Sequence, residues 1–167
     1  MSSSRSKKIF LILSVAVPFI AYCLYYYTMM VGNAPYKFSE FKSIVFEYGT
    51  GDSLLNKYNS ATGDYQYVDA RDSLIKKHLR LNKDELLYLH RKAADLGFWN
   101  FPAVEKNHSS PDKNAPHYKI QYNYDRKSKT VLYSADFDGP ETLKDANQRL
   151  IKEIQRILND AEIKHKK

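Results

Sequence analysis

The stretch from His117 to Ser134 reads HYKIQYNYDRKSKTVLYS, and it decides the fold of the domain that contains it. Aromatic and apolar side chains alternate with polar ones from His117 to Tyr124, and a period of two over this length predicts a half-buried β-strand. Asp125–Ser128 is entirely polar and predicts a turn, and Lys129–Ser134 resumes the alternation. We therefore predict an antiparallel hairpin with one apolar face.

Shorter alternating stretches lie closer to the N-terminus and predict further strands. They are Ser43–Tyr48, Tyr65–Asp69 and, as an optional third strand, Ser73–Leu81. Ala61–Asp64 carries a Gly-Asp turn signal before the second of them. Leu54–Tyr58 follows neither a strand nor a helix pattern clearly, and we assign it to neither.

Two segments of the domain have the spacing of amphipathic helices. Asn82 precedes the first of them, and Glu85 follows three residues later, as in a capping box. Gly97 suits the left-handed position that ends many helices. A longer stripe near the C-terminus repeats every three or four residues and predicts a helix of about five turns: Leu143, Ala146, Leu150, Ile154, Ile157, Leu158 and Ala161.

The order of these elements is β-β-(β)-α-β-β-α, with strands and helices in blocks. This order predicts an α+β fold in which an antiparallel sheet has two helices packed on one face. Ala103–Pro116 is polar and carries no periodicity, so we expect a long surface loop there. A face that the helices leave open would be free to contact water or a partner.

An uncharged apolar run of 23 residues, Ile9–Val31, precedes the domain. A helix of this length spans about 34 Å, which is enough to cross a hydrocarbon core of roughly 30 Å. Pro18 lies near its middle, where membrane helices tolerate a kink. Four tyrosines near the far end suit the membrane interface, where the ring is apolar and the hydroxyl stays hydrated: Tyr22, Tyr25, Tyr26 and Tyr27.

The N-terminal flank sets the expected orientation. Arg5, Lys7 and Lys8 precede the run and no acidic residue accompanies them. Because the more basic flank stays in the cytoplasm, we expect the N-terminus inside and the domain outside, in the periplasm if the host is Gram-negative. A cleaved signal peptide is the alternative, although its apolar core is shorter, about 7–15 residues.

We therefore divide the chain into a cytoplasmic flank (1–8), a transmembrane helix (9–31), a linker (32–35) and a soluble domain (36–167). The chain has 26 basic and 19 acidic residues. The three basic residues of the flank account for part of that excess, so a nucleic-acid partner is not expected. The single cysteine, Cys23, lies within the apolar run, so the domain has neither a disulfide nor a cysteine metal site.

No catalytic or cofactor motif stands out in the domain, and we assign no catalytic, cofactor or metal residue. The most metal-like set is His108, Asp112 and His117, which could bind zinc if the loop brought them together. Asp138 and Glu141 precede the last helix, and we interpret them as capping and first-turn residues. We expect the domain tyrosines to face the helices, because most share a side with apolar residues.

These observations favour a single-pass membrane-anchored domain outside the cytoplasm that binds an envelope protein or a wall component without catalysis. The lipid bilayer is then a partner through the N-terminal helix. One alternative is a membrane-tethered metal-dependent hydrolase that uses the 105–117 loop. Another is an inhibitor or immunity-type partner of a secreted enzyme.

Two stretches carry a resemblance to known proteins. Tyr58–Tyr65 reads YNSATGDY, and Leu81–Pro102 is a capped, leucine-rich helix that runs into Phe98, Phe101 and Pro102. In these stretches the chain loosely resembles small uncharacterised membrane-anchored envelope proteins of the Bacteroidetes type. The resemblance implies a signal or anchor followed by a small α+β domain, and it transfers no catalytic residue.

Overall fold

A computed structural model of the chain describes residues 4–33, 36–51 and 53–165. The chain divides into two compact units, Met1–Lys37 and Phe38–Lys167. The first unit contains a single helix, α1 (Ser4–Asn33). This helix continues two residues into the predicted linker 32–35, and residues 34–35 lie outside the described residues.

Helix α1 is apolar around its whole circumference. From Lys7 to Thr28 every side chain is exposed except that of Ala16, which is half-buried. The Ser14 and Thr28 hydroxyls bond to carbonyls of their own helix, Ser14 to Leu11 at 2.9 Å and Thr28 to Tyr25 at 2.8 Å. Of the helices that the structure describes, this one is long and apolar enough to cross a membrane, although a signal sequence has the same properties.

The second unit is an α+β domain built on one seven-stranded sheet. The strand order is β4-β3-β2-β1-β6-β7-β5, and every pair is antiparallel except β5–β7. The elements in chain order are β1 (Phe41–Thr50), β2 (Asn56–Asn59), β3 (Asp64–Val68), β4 (Leu74–His78), α2 (Lys83–Asp95), β5 (Val104–Glu105), β6 (Pro116–Tyr124), β7 (Ser128–Ser134) and α3 (Glu141–His165).

The predicted fold class is confirmed, and both helices pack on one face of the sheet. The Tyr122 hydroxyl on β6 donates to the Leu89 carbonyl of α2 at 3.1 Å. Helix α3 crosses the sheet from edge to edge, because Asn147 contacts Glu105 on the edge strand β5 and Glu162 contacts Lys77 on the edge strand β4. We call this side the covered face; its residues include Ile44, Phe46, Tyr48, Tyr58, Tyr65, Tyr67, Tyr118, Ile120, Tyr122, Tyr124, Val131 and Tyr133.

The predicted hairpin forms between β6 and β7 with the expected register of faces. Tyr118 lies opposite Tyr133 and Ile120 lies opposite Val131. The Tyr124 amide closes the turn by donating to the Lys127 carbonyl at 2.9 Å. Ile120 and Val131 are completely buried, so the alternation read from the sequence marks the core correctly.

The helix boundaries also follow the sequence signals. Asn82 and Glu85 form both halves of the capping box at the start of α2, each bond at 2.9 Å. Gly97 takes a left-handed φ of 77° just beyond the end of α2. Helix α3 buries most of the predicted apolar stripe, namely Leu150, Ile154, Ile157, Leu158 and Ala161, together with Ile151, which the stripe did not include. Leu143 and Ala146, at the start of the stripe, are half-buried.

The turn between β2 and β3 depends on Gly63. Its φ is +75°, a conformation that L side chains rarely adopt. A Cβ at this position would also lie 2.6 Å from Cε1 of His78 on β4. The turn signal at Ala61–Asp64 therefore marks a position where the backbone conformation favours glycine and where a side chain would have to displace the His78 ring.

The sheet has more strands than the predicted order β-β-(β)-α-β-β-α. Four strands precede α2, because Asn56–Asn59 pairs with β1 and β3 as β2. The expectation that Ala103–Pro116 is entirely a surface loop is wrong at both ends. Val104–Glu105 forms β5, and Pro116 begins β6. Strands β2 and β5 have only four and two residues, which is too short for a pattern of alternation to predict them from their own sequences.

Candidate functional site: the uncovered face of the sheet

The described helices leave the second side of the sheet open, and we call it the uncovered face. Its side chains occupy the alternate register positions of six strands and are mostly polar. They are Ser43, Val45, Glu47, Lys57, Asn59, Asp64, Gln66, Lys76, His78, Lys119, Gln121, Asn123, Thr130 and Leu132. Alternation along each strand places them opposite the buried core residues.

One row of this face carries most of its charge. In register across the strands lie Lys119, Glu47, Lys57, Gln66 and Lys76. Lys119 and Glu47 form an ion pair at 3.3 Å, with side chains 30% and 21% exposed. The row therefore carries three ammonium groups, one carboxylate and one amide. The Lys119 ammonium is paired with the Glu47 carboxylate, and Lys57 and Lys76 lie further along the row on either side of Gln66.

A second group on the face is held rigidly by side-chain hydrogen bonds. The Asn123 amide donates to the Ser43 hydroxyl at 2.9 Å, and the Gln121 amide donates to Oδ1 of Asn123 at 2.7 Å. Ser43 is buried although it lies on this face. The chain of bonds fixes the orientation of the amides, so their remaining donors and acceptors point in defined directions.

The face is hollowed where β1 to β4 lie side by side. The hollow has a volume of about 430 Å³ and is open to solvent. Its lining combines the Val45 side chain with charged and amide groups: Glu47, Lys57, Asn59, Asp64, Gln66 and Lys76. Such a lining offers hydrogen-bond donors and acceptors and charges of both signs around a small apolar floor.

No tyrosine, phenylalanine or tryptophan occupies the register positions of the uncovered face in the described strands, because the tyrosines point the other way. The six tyrosines at positions 65, 67, 118, 122, 124 and 133 all lie on the covered face. Burial raises the pKa of the Tyr65 hydroxyl to about 12, and the pKa of Tyr122 is also raised by burial. These groups stay protonated and act as core residues with hydrogen-bonding ends.

The metal-like residues of the 105–117 loop do not form a metal site. His108, Asp112 and His117 line a common depression of about 500 Å³, but no group of three potential ligands is close enough to hold an ion among the described residues. Asp136 lies at the same depression and already accepts from the Asp112 amide at 2.8 Å. Hydrogen bonds from Ser134 and from this amide lower the pKa of Asp136.

Asp138 fastens the same loop instead of capping α3, which corrects the capping interpretation. Its carboxylate accepts from the Ser109 hydroxyl at 3.0 Å and from the His108 amide at 3.4 Å. These bonds lower the pKa of Asp138. Glu141 is the first residue of α3, as expected for an acidic residue near a helix N-terminus.

The predicted anchor residues all lie in α1. Lys7 and Lys8 lie in its first turns, Pro18 is in its interior and Ile9 is exposed. The four tyrosines Tyr22, Tyr25, Tyr26 and Tyr27 are exposed near its C-terminal end, and the rings of Tyr22 and Tyr26 stack 6.5 Å apart. The backbones of Arg5 and Val31 belong to the helix, while their side chains lie outside the described residues.

Sequence reasoning missed one group with unusual chemistry, the carboxyl of Glu105. It is 1% exposed on strand β5 and bonds to the Asn147 amide of α3 at 2.5 Å. Desolvation by burial raises its pKa to about 7. A two-residue strand in a polar loop gives no periodic signal, so nothing in the sequence marks Glu105 as buried.

Comparison of the chain with protein-family models, curated proteins and solved structures finds no match.

Proposed function

We propose that the chain is a single-pass membrane-anchored domain that binds a partner protein through the uncovered face of its sheet, without catalysis. The observation that supports this most directly is the contrast between the two sides. Both amphipathic helices are used on one side, and the other presents ordered amides, charged groups and a hollow to the solvent. Open faces of antiparallel sheets commonly meet water or a partner.

The size of the face is suited to a modest protein interface. Seven strands spaced about 4.8 Å apart span roughly 29 Å, and with strands of ordinary length the face measures of the order of 500 Å². Stable interfaces use about 800 Å² per partner. The face reaches this range when the loops at its rim contribute to the contact.

The chemistry of the face favours a protein over a wall glycan. Hydrogen-bonding amides and charges of both signs match the polar composition of transient protein interfaces. Ring-shaped ligands are usually held by apolar and aromatic linings, and the tyrosines of this domain are directed to the covered face instead. We therefore place a polar protein surface opposite the hollow and the Ser43–Asn123–Gln121 chain.

Affinity capture of the full chain from cross-linked membranes of the host tests this binding function. Two variants alter the uncovered face, Gln121→Arg and Lys57→Glu. Two matched controls make the same changes of charge on exposed positions of α3, Asn159→Arg and Lys152→Glu. We expect the face variants to recover at least 10-fold less of a discrete partner than the controls do.

Two outcomes of the capture experiment would count against the proposal. Equal recovery by all four variants would remove the uncovered face from the interaction. Co-sedimentation of the chain with purified cell-wall sacculi, lost in Gln121→Arg and Lys57→Glu, would identify a wall component as the partner in place of a protein.

We also propose that α1 remains as an uncleaved anchor with its N-terminus in the cytoplasm and the domain outside. The basic residues Arg5, Lys7 and Lys8 support this orientation. Alkaline phosphatase fused to the C-terminus, which is active only outside the cytoplasm, should be active, and the membrane-bound product should retain the mass of the intact chain. Inactive fusion protein would contradict the orientation, and a product shortened by about 30 residues would identify a cleaved signal peptide.

A further inference from the structure

The contact between Glu105 and Asn147 has a hydrogen-bonding deficit that one proton would remove. Glu105 is 1% exposed and Asn147 is fully buried. The Asn147 amide nitrogen donates to Oε2 of Glu105 at 2.5 Å and to the Leu143 carbonyl at 2.9 Å, so both of its hydrogens are used. The two remaining oxygens, Oε1 of Glu105 and Oδ1 of Asn147, have no partner among the described residues.

Both of these remaining atoms are acceptors when the carboxyl is ionised. A buried acceptor without a donor is costly, and a buried charge is costlier still. A proton on Oε1 of Glu105 would turn that oxygen into a donor. The acceptor available to it is Oδ1 of Asn147, which belongs to the amide that Glu105 already contacts. A carboxylic acid and a primary amide are complementary in this way, since each offers one donor and one acceptor.

The amide orientation itself agrees with this pairing. If the Asn147 amide were turned over, its oxygen would face two other oxygens, those of Glu105 and Leu143. The nitrogen therefore faces them, and Oδ1 is left for a donor. The acidic proton of Glu105 is the donor that the pair lacks.

We propose that Glu105 is a neutral carboxylic acid in the folded domain and forms a reciprocal acid–amide pair with Asn147, so that the attachment of β5 to α3 depends on pH. Strand β5 has only two residues in the sheet, which makes this pair a principal attachment of the 103–107 segment to the helix. Loss of the proton would replace the second hydrogen bond with a buried negative charge and loosen that attachment.

The groups that face Glu105 determine how far its charge can be compensated. Lys129 on β7 attracts the ionised carboxyl, but its ammonium also donates to the Phe101 carbonyl and is itself partly desolvated, which lowers its pKa. Tyr133 on β7 lies opposite Glu105 in the register. Burial is the main cause of the raised pKa of the Tyr133 hydroxyl, and the charges of Glu105 and Glu141 raise this pKa further. Asn147 on α3 supplies the one hydrogen bond described for the carboxyl.

The sign of the resulting pH dependence follows from the pKa. Since the folded pKa of Glu105, about 7, lies above the ordinary 4.5, the folded state binds the proton more tightly than the unfolded state does. The stabilisation is complete below pH 4.5 and is lost as the pH rises towards 7. Above that range the loss is complete and constant.

The direct test is a titration of the Glu105 carboxyl carbon by ¹³C NMR, in the full chain in detergent micelles. The Glu105→Gln variant identifies the resonance by its disappearance. We expect a midpoint near pH 7, well above the ordinary glutamate value of 4.5. A midpoint at or below 4.5 would show an ionised carboxylate and overturn the proposal.

A second measurement tests whether protonation of Glu105 stabilises the folded state. Glu105→Gln supplies a permanent N–H donor to Asn147, so its folding equilibrium constant should lack the Glu105 component of the pH dependence. Relative to this variant, we expect the wild-type constant to fall about 50- to 100-fold between pH 5 and pH 8. Glu141→Gln is the control on the same end of α3 and should leave that fall unchanged, whereas a constant ratio of wild type to Glu105→Gln would contradict the pairing.

Discussion

Ile120 and Gln121 are neighbours on β6, yet they belong to two different surfaces. Ile120 is completely buried on the covered face, whereas Gln121 lies on the uncovered face in a short chain of hydrogen bonds to Asn123. The same contrast is repeated along β1, where Phe46 is buried and Glu47 pairs with Lys119 near the solvent. Alternate residues of the same strands thus serve the core on one side and a polar surface on the other.

The two faces differ in how much their side chains contribute to stability. The covered face gains its stability from apolar burial at about 25 cal/mol per Å², supplemented by a few buried hydrogen bonds such as Tyr122 to Leu89. Apart from the buried Ser43, the polar groups of the uncovered face are exposed or half-buried, and their mutual bonds contribute little net free energy. Substitutions there can therefore alter the chemistry of this surface without unfolding the domain.

The largest expected effect compares the two neighbours on β6. Ile120→Ala leaves a cavity in a completely buried site and should lower the free energy of unfolding by about 2–5 kcal/mol. Gln121→Ala should change it by less than about 0.5 kcal/mol. Urea denaturation of the full chain in micelles measures both, and comparable losses from the two would break the distinction between the faces.

A smaller loss of stability is expected from a substitution at the N-terminus of α2, one of the two helices on the covered face. Asn82→Ala removes the side-chain oxygen that accepts from the Glu85 amide at the N-cap of α2, although the backbone amide of residue 82 can still donate to the Glu85 carboxylate. The lost cap should lower the free energy of unfolding by about 1 kcal/mol. The matched control is Asn100→Ala, which replaces the exposed last residue of the 3₁₀ turn Phe98–Asn100 and should have almost no effect. Thermal unfolding followed by circular dichroism distinguishes them, and equal shifts of Tm would argue against a specific role for the cap.

The smallest expected effect concerns the ion pair of the uncovered face. Lys119→Met removes the partner of Glu47 while keeping most of the aliphatic side chain. The pair is partly exposed, so the free energy of unfolding should fall by less than about 1 kcal/mol. The loss should shrink further in 1 M salt, because screening weakens the wild-type pair. A larger loss of unfolding free energy that does not depend on salt would mean that Lys119 stabilises the domain by more than an exposed ion pair.

Sequence reasoning succeeded where a structural signal is local. The alternation of the β6–β7 hairpin, the capping box at Asn82 and the turn at Gly63 all depend on residues that are close along the chain. It failed for β2 and β5, because their pairing partners are supplied by other strands and their own sequences are short. The fold class, the sheet and the two packed helices could therefore be predicted, but not the number of strands.

The candidate site was predictable to a similar extent. Alternation shows which side chains share a face, so the polar character of the uncovered face is visible in the sequence. The bonds that order it are not, because Ser43 and Asn123 meet through the pairing of β1 with β6 across 80 positions. For the same reason Glu105 reads as an ordinary loop residue until β7 and α3 enclose it.

Site-specific photo-cross-linking in living cells tests whether the uncovered face binds a partner protein. A photoreactive amino acid replaces Gln121 on the uncovered face or, as the control, Arg91 on the exposed side of α2. We expect a discrete cross-linked protein from position 121 and none from position 91. A cross-link to the same protein from both positions, or from position 91 alone, would contradict the assignment of the uncovered face as the binding surface.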